Sequence, residues 1–83
     1  MAKKIMTCEF AFVPVQSHDY IAEVETVLDI IRECGLEYNI GEMSTIIKGE
    51  SDKIFALMER IYNDRYDKSK FIISVRMSNV CGC

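Results

Sequence analysis

Hydrophobic and polar positions alternate over residues 4–13. Met6, Cys8, Phe10 and Phe12 fall on one side, and Thr7, Glu9, Ala11 and Val13 on the other. A period of two marks a strand with one face toward a core. The first set is the stronger core face, and Pro14, which lacks an N–H for a ladder, is predicted to end the strand. Residues 17–34 change to a helical period. Ile21, Val24, Leu28 and Ile31 form one stripe, widened by Val27 and Cys34, while Glu23, Glu25, Asp29 and Glu33 fall mostly off it. Ser17 or Asp19 suits the helix start, and Gly35 suits its C-terminal stop.

Two short β-prone runs follow, 36–40 and 45–48, bounded by Gly35 and Gly49 with Gly41 between them. Joined at or near 41–44, they predict a hairpin or a hairpin-like bend. A second helix is predicted over 53–66, with Ser51 or Asp52 as its cap. Its stripe is Ile54, Leu57, Met58 and Ile61, with Phe55 and Tyr62 beside it. Residues 63–70 are polar and hold the helix end and a loop. Alternation resumes over 71–80, with Phe71, Ile73, Val75 and Met77 opposed to Ile72, Ser74, Arg76 and Ser78.

The resulting order, β-α-β-β-α-β, predicts an α+β fold of the ferredoxin-like kind. A four-stranded antiparallel sheet would carry both helices on one face, as a single domain over residues 1–83. The other face would place Thr7, Glu9, Ala11 and Val13 beside Ile72, Ser74, Arg76 and Ser78. Such a bare, half-polar face is expected to meet another protomer.

Composition sharpens this picture in three ways. Hydrophobic residues make up 49% of only 83 positions, so part of the apolar area is expected against another subunit. A net charge of -3 argues against a nucleic-acid partner, yet leaves a small cationic ligand open. No long apolar segment follows the first four residues, and no run reaches spanning length, so the expectation is a cytoplasmic protein without membrane insertion. The four cysteines, Cys8, Cys34, Cys81 and Cys83, are then expected as free thiols.

Catalysis finds little footing. His18 is the only histidine, with no nucleophile or orienting carboxylate at a fixed spacing, and there is no Gly-rich phosphate loop. Cys81 and Cys83 could share a soft metal or sense redox state, but zinc sites generally use Cys-x-x-Cys spacings in two pairs. The expectation is a non-enzyme with no metal and no cofactor.

One stretch carries a resemblance. Gly35, Leu36, Tyr38, Gly41, Met43, Thr45, Ile47 and Gly49 together resemble the signature of the small thiamine-binding-protein family, also called the MTH-type or DUF77 family. Residues 10–14, Ser44-Thr45 ahead of Gly49, Arg60-Ile61-Tyr62, and Ser78 three residues before Cys81 are similar to YkoF-type thiamine- and hydroxymethylpyrimidine-binding proteins. The chain departs from many single-domain relatives in ending on Cys81-Gly82-Cys83 rather than a charged segment. The resemblance implies a ferredoxin-like fold and non-catalytic binding of thiamine or its hydroxymethylpyrimidine precursor, in salvage or transport. It also implies a homodimer or tetramer, with one copy of the domain per chain in place of a tandem pair.

Such a ligand joins a neutral aminopyrimidine to a cationic thiazolium and asks for hydroxyls, an aromatic wall and an anion. Ser44 and Thr45 could bond the pyrimidine, or simply serve the turn and strand they occupy. Ser78 offers either a third hydroxyl or an ordinary strand residue. Glu9 could face the thiazolium, but a cross-strand pair with Arg76 is favoured, and a paired Glu9 can still line a pocket. Tyr38 could stack on a ring, while Phe10 and Phe12 read as core and Met43 more as packing than contact. The competing reading is a regulatory or structural interaction module in which the sheet only joins subunits.

Overall fold

The computed structural model describes residues 3–80. Six elements follow one another: β1 (Ile5–Val15), α1 (Tyr20–Arg32), β2 (Glu37–Ile40), β3 (Thr45–Glu50), α2 (Ser51–Arg65) and β4 (Lys70–Ser78). The strands form one antiparallel sheet in the order β2-β3-β1-β4. This is the ferredoxin-like arrangement expected from the alternation.

Register explains where the core lies. Residues directly opposite on antiparallel strands share a face. Cys8 opposes Ile47 and Met77, and Phe10 opposes Thr45 and Val75, so one apolar face runs across the sheet. Cys8, Phe10 and Ile47 join Val27, Ile30 and Ile31 of α1 and Ile54, Leu57 and Ile61 of α2 in a single buried cluster. Both helices therefore cover the same side. The opposite face carries Thr7, Glu9 and Ala11 of β1 next to Ser78, Arg76 and Ser74 of β4.

Three local expectations are corrected, and one of the two cap candidates at α1 is selected. Pro14 does not end β1; it is buried inside the strand, opposite Phe71. Pairing of β1 with β3 stops at Phe10–Thr45, so past that point one side of β1 has no strand neighbour and a missing N–H breaks no ladder there. On α1 the buried stripe is Val27, Ile30 and Ile31, whereas Ile21 is 78% exposed. The helix begins only at Tyr20, so Ile21 lies in its first turn, before the part that packs on the sheet. Asp19 is the cap, accepting from the Ala22 N–H at 3.1 Å, and Ser17 accepts from the Asp19 N–H instead. At α2 the cap position falls on Glu50 and makes no side-chain cap bond, because β3 runs directly into the helix. The Asp52 carboxylate accepts only from the adjacent Lys53 N–H.

A polar cluster ties the start of α1 to the end of α2. The Ser17 hydroxyl donates to Glu23, and this bond first, then the nearby Ser69 hydroxyl and the charge of Arg65, hold the Glu23 carboxyl below its ordinary range, although neither Ser69 Oγ nor Glu23 Oε1 makes a hydrogen bond of its own. Arg65 is buried one turn beyond Ile61 and pairs with Asp64 at 3.6 Å. Sequence periodicity places this arginine in a polar segment, yet it is 9% exposed.

Candidate functional site

The bend between β2 and β3 is a sharply built turn. The Gly41 N–H donates to the Ser44 carbonyl at 2.9 Å, closing a tight turn. A Cβ at Gly41 would come within 2.9 Å of that same carbonyl oxygen, so the turn needs glycine for space. Gly35, at the other end of β2, takes a φ of +80°, the left-handed region that stops α1.

Beneath this bend lies a cavity of about 190 Å³. Its walls are apolar: Phe10 and Phe12 from β1, Val24, Val27 and Leu28 from α1, and Ile40 from β2. Residues 41–45 form its rim and supply its polar groups. Thr45 is buried opposite Phe10, so its side chain takes the helix side of the sheet. Met43 stands on the rim, 91% exposed, with Glu42 beside it.

Ser44 precedes Thr45 and by alternation turns to the open face. There its hydroxyl donates to Glu9 Oε2 at 3.2 Å. The other oxygen, Glu9 Oε1, lies 3.5 Å from Arg76 Nη1, and the two residues are register partners. The cross-strand pair read from the sequence is thus present, with Ser44 as an additional donor. Arg76 is 88% exposed, so water screens the pair heavily.

The six candidate residues therefore separate. Ser44, Thr45 and Met43 come together at the rim of the cavity, and Glu9 joins through Ser44. Tyr38 does not reach the cavity; it borders a recess of about 310 Å³ along β2, with Thr7, Asn39 and Lys48. Ser78 lies opposite Thr7, away from the bend, and accepts from the Val80 N–H at 3.0 Å. Thr7 Oγ1 is buried without a partner. Glu42 was missed by sequence reasoning, which treated 41–44 as a turn; its signal was an acidic residue between a bend glycine and two hydroxyls. Phe10 and Phe12 are core residues as expected, and the cavity uses the same rings as its wall.

Burial pushes the Cys8 thiol up, so it stays protonated and is a poor nucleophile or metal ligand. Among the described residues, no three His, Cys, Asp or Glu side chains gather as a metal site, and Cys81 and Cys83 lie outside those residues. No helix of the described residues is long and apolar enough to cross a membrane.

With this geometry, residues 8–79 match the profile of the thiamine-binding protein family. The chain belongs to that family. Solved structures share its fold at low identity. A domain of unknown function, DUF77, from Bacillus cereus is 23% identical, with 92% of this chain and 76% of that one covered at a TM-score of 0.80. A Thermotoga maritima protein provisionally described as one of thiamine biosynthesis or salvage is 17% identical, covering 89% and 82% at a TM-score of 0.81. More distantly, a nitrogen regulatory PII-like protein from Thiomonas intermedia K12, bound to ADP, AMP and bicarbonate, is 13% identical over 89% and 86% at 0.55. No curated protein matches the chain in sequence.

Proposed function

We propose that this family member binds thiamine or its hydroxymethylpyrimidine precursor without chemical change, as a homo-oligomer, in salvage or transport. The observation that carries the reading is the apolar cavity under the Gly41–Ser44 turn, with an aromatic wall, one inward hydroxyl and an acidic rim. Its volume of about 190 Å³ is less than the roughly 300 Å³ at which pockets for whole drug-sized ligands begin, so it suits one ring.

The aminopyrimidine enters between Phe12 and the bend, where the Thr45 hydroxyl bonds a ring nitrogen or the amino group. The thiazolium stays at the mouth, against Met43 and the Glu42 carboxylate. Ser44 and Glu9 are positioning residues in this reading: their bond holds the rim from the open face. Tyr38 and Ser78 would take part only through a neighbouring copy. The whole chain, residues 1–83, acts as one binding domain in the cytoplasm.

The test is a thermal-shift titration with thiamine, hydroxymethylpyrimidine and thiamine phosphate. Ligand at a hundred times its Kd stabilises the native state by about 2.7 kcal/mol, a readily measured rise. Glu42→Gln should weaken the response to cationic thiamine and leave that to neutral hydroxymethylpyrimidine unchanged. No response to any of the three would sink the reading and leave an interaction module.

A further inference from the structure

Charge is divided unevenly along the chain. Residues 5–50 carry nine carboxylates against two basic side chains, Arg32 and Lys48, a balance of -7. Residues 51–83 carry six basic side chains against four acidic ones, and Lys3 and Lys4 add two more positive charges. The net charge of -3 hides this division. Every residue that lines the cavity under the Gly41–Ser44 turn belongs to the acidic part, and Glu42 is the one charged residue among them. A field summed over many charges raises or lowers the local concentration of a charged ligand more than any single pair does.

The two basic side chains of that part do not offset it at the mouth. Arg32 follows Leu28 by about one turn on α1, and its Nη1 lies 3.2 Å from Glu25 and 2.8 Å from Asp29. Lys48 is the register partner of Thr7 and takes the open face of the sheet, whereas Thr45, at the cavity, takes the helix face. Donors that an anion would need are spent as well. The Gly41 N–H is bonded to the Ser44 carbonyl at 2.9 Å, and the Ser44 hydroxyl to Glu9 at 3.2 Å. A phosphate ester adds about 1.5–2 negative charges at neutral pH and asks for basic side chains or several N–H groups. The lining of the cavity holds neither Lys nor Arg.

We propose that the cavity sorts its ligands by charge: it admits the free alcohols, cationic thiamine and neutral hydroxymethylpyrimidine, and rejects their phosphate esters. Glu42 is the specificity-determining residue, and the acidic half of the chain around it reinforces its effect. The inference rests on the binding reading above and names the form of ligand that the site takes. Esterification turns thiamine from a cation into a molecule of net negative charge, so attraction at Glu42 gives way to repulsion. One close contact between unit charges in water changes affinity by roughly fivefold, so a phosphate beside Glu42 should weaken binding by roughly tenfold or more.

Titration calorimetry on the full chain tests this with four ligands: thiamine, hydroxymethylpyrimidine and the phosphate ester of each. At low salt each ester should bind roughly tenfold more weakly than its alcohol. In 1 M salt, where the Debye length is about 3 Å, the difference should shrink. Glu42→Lys should weaken thiamine and strengthen thiamine phosphate. Glu25→Gln with Asp29→Asn, both at exposed positions on α1, releases Arg32 and should reduce the penalty on the esters. An ester that binds as tightly as its alcohol, or a penalty that neither salt nor either variant changes, overturns the filter and leaves the binding reading standing. No heat with any of the four ends that reading and the filter with it.

Discussion

The two faces of β1 come from one strand and obey different physics. Cys8 and Phe10 point into the helices and are buried, while Thr7, Glu9 and Ala11 point to the open side, where Glu9 meets the Ser44 hydroxyl, Arg76 and water. On the first face stability comes from area removed from water. On the second it comes from polar groups that water competes for. The same strand thus carries the fold on one side and positions the β2–β3 bend, through Glu9 and Ser44, on the other.

Substitutions on the two faces should differ by an order of magnitude. Phe10→Ala removes a ring that is both core and cavity wall. It should cost about 3–5 kcal/mol, read by urea unfolding, and a loss below about 1 would erase the contrast. Thr7→Val removes a buried hydroxyl without a partner, and should raise stability by about 1 kcal/mol. If it instead weakens a ligand response, the recess along β2 is the binding place rather than the cavity. Arg76→Ala should cost only a few tenths of a kcal/mol, because the exposed pair is screened. A salt-insensitive or larger loss would mean that the open face is covered in solution.

The smallest effect shows only against pH. The Glu23 carboxyl is held below its ordinary value of 4.5 when folded. A depressed carboxyl contributes stability above its unfolded value, and that contribution is lost as pH falls through the folded one. Melting temperature should therefore drop on the acid side of 4.5, and Glu23→Gln should flatten that limb by lowering stability at neutral pH, where the contribution is fully present, while changing the acid end least. A limb unchanged in the variant would remove the Ser17–Glu23 bond as its source.

Most of the architecture was legible because it is periodic. Alternation in β1 and β4 named their core faces correctly, and the Ile54, Leu57, Ile61 stripe placed α2. The Glu9–Arg76 pair was legible too, since the topology makes β1 and β4 neighbours. The candidate site was legible only in part. Ser44, Thr45 and Met43 do share one rim, but Tyr38 and Ser78 stand elsewhere and Glu42 was overlooked. Spacing along a strand tells which face a residue takes, not how far along the neighbouring strand its partner sits.

By itself, then, the sequence determined element types, their order, the helix stop at Gly35 and the need for a tight bend at Gly41. These follow from local sterics and short periods. Tertiary structure alone decided that Pro14 stays within a strand, that Ile30 rather than Ile21 meets the core, that Arg65 is buried and that Ser44 turns to Glu9. Each of those depends on where a distant element ends or packs: β3 stopping at Thr45, α1 lying on β1, and a bend that folds back across the sheet. Register and packing are non-local, and a chain read one residue after another carries them only as possibilities.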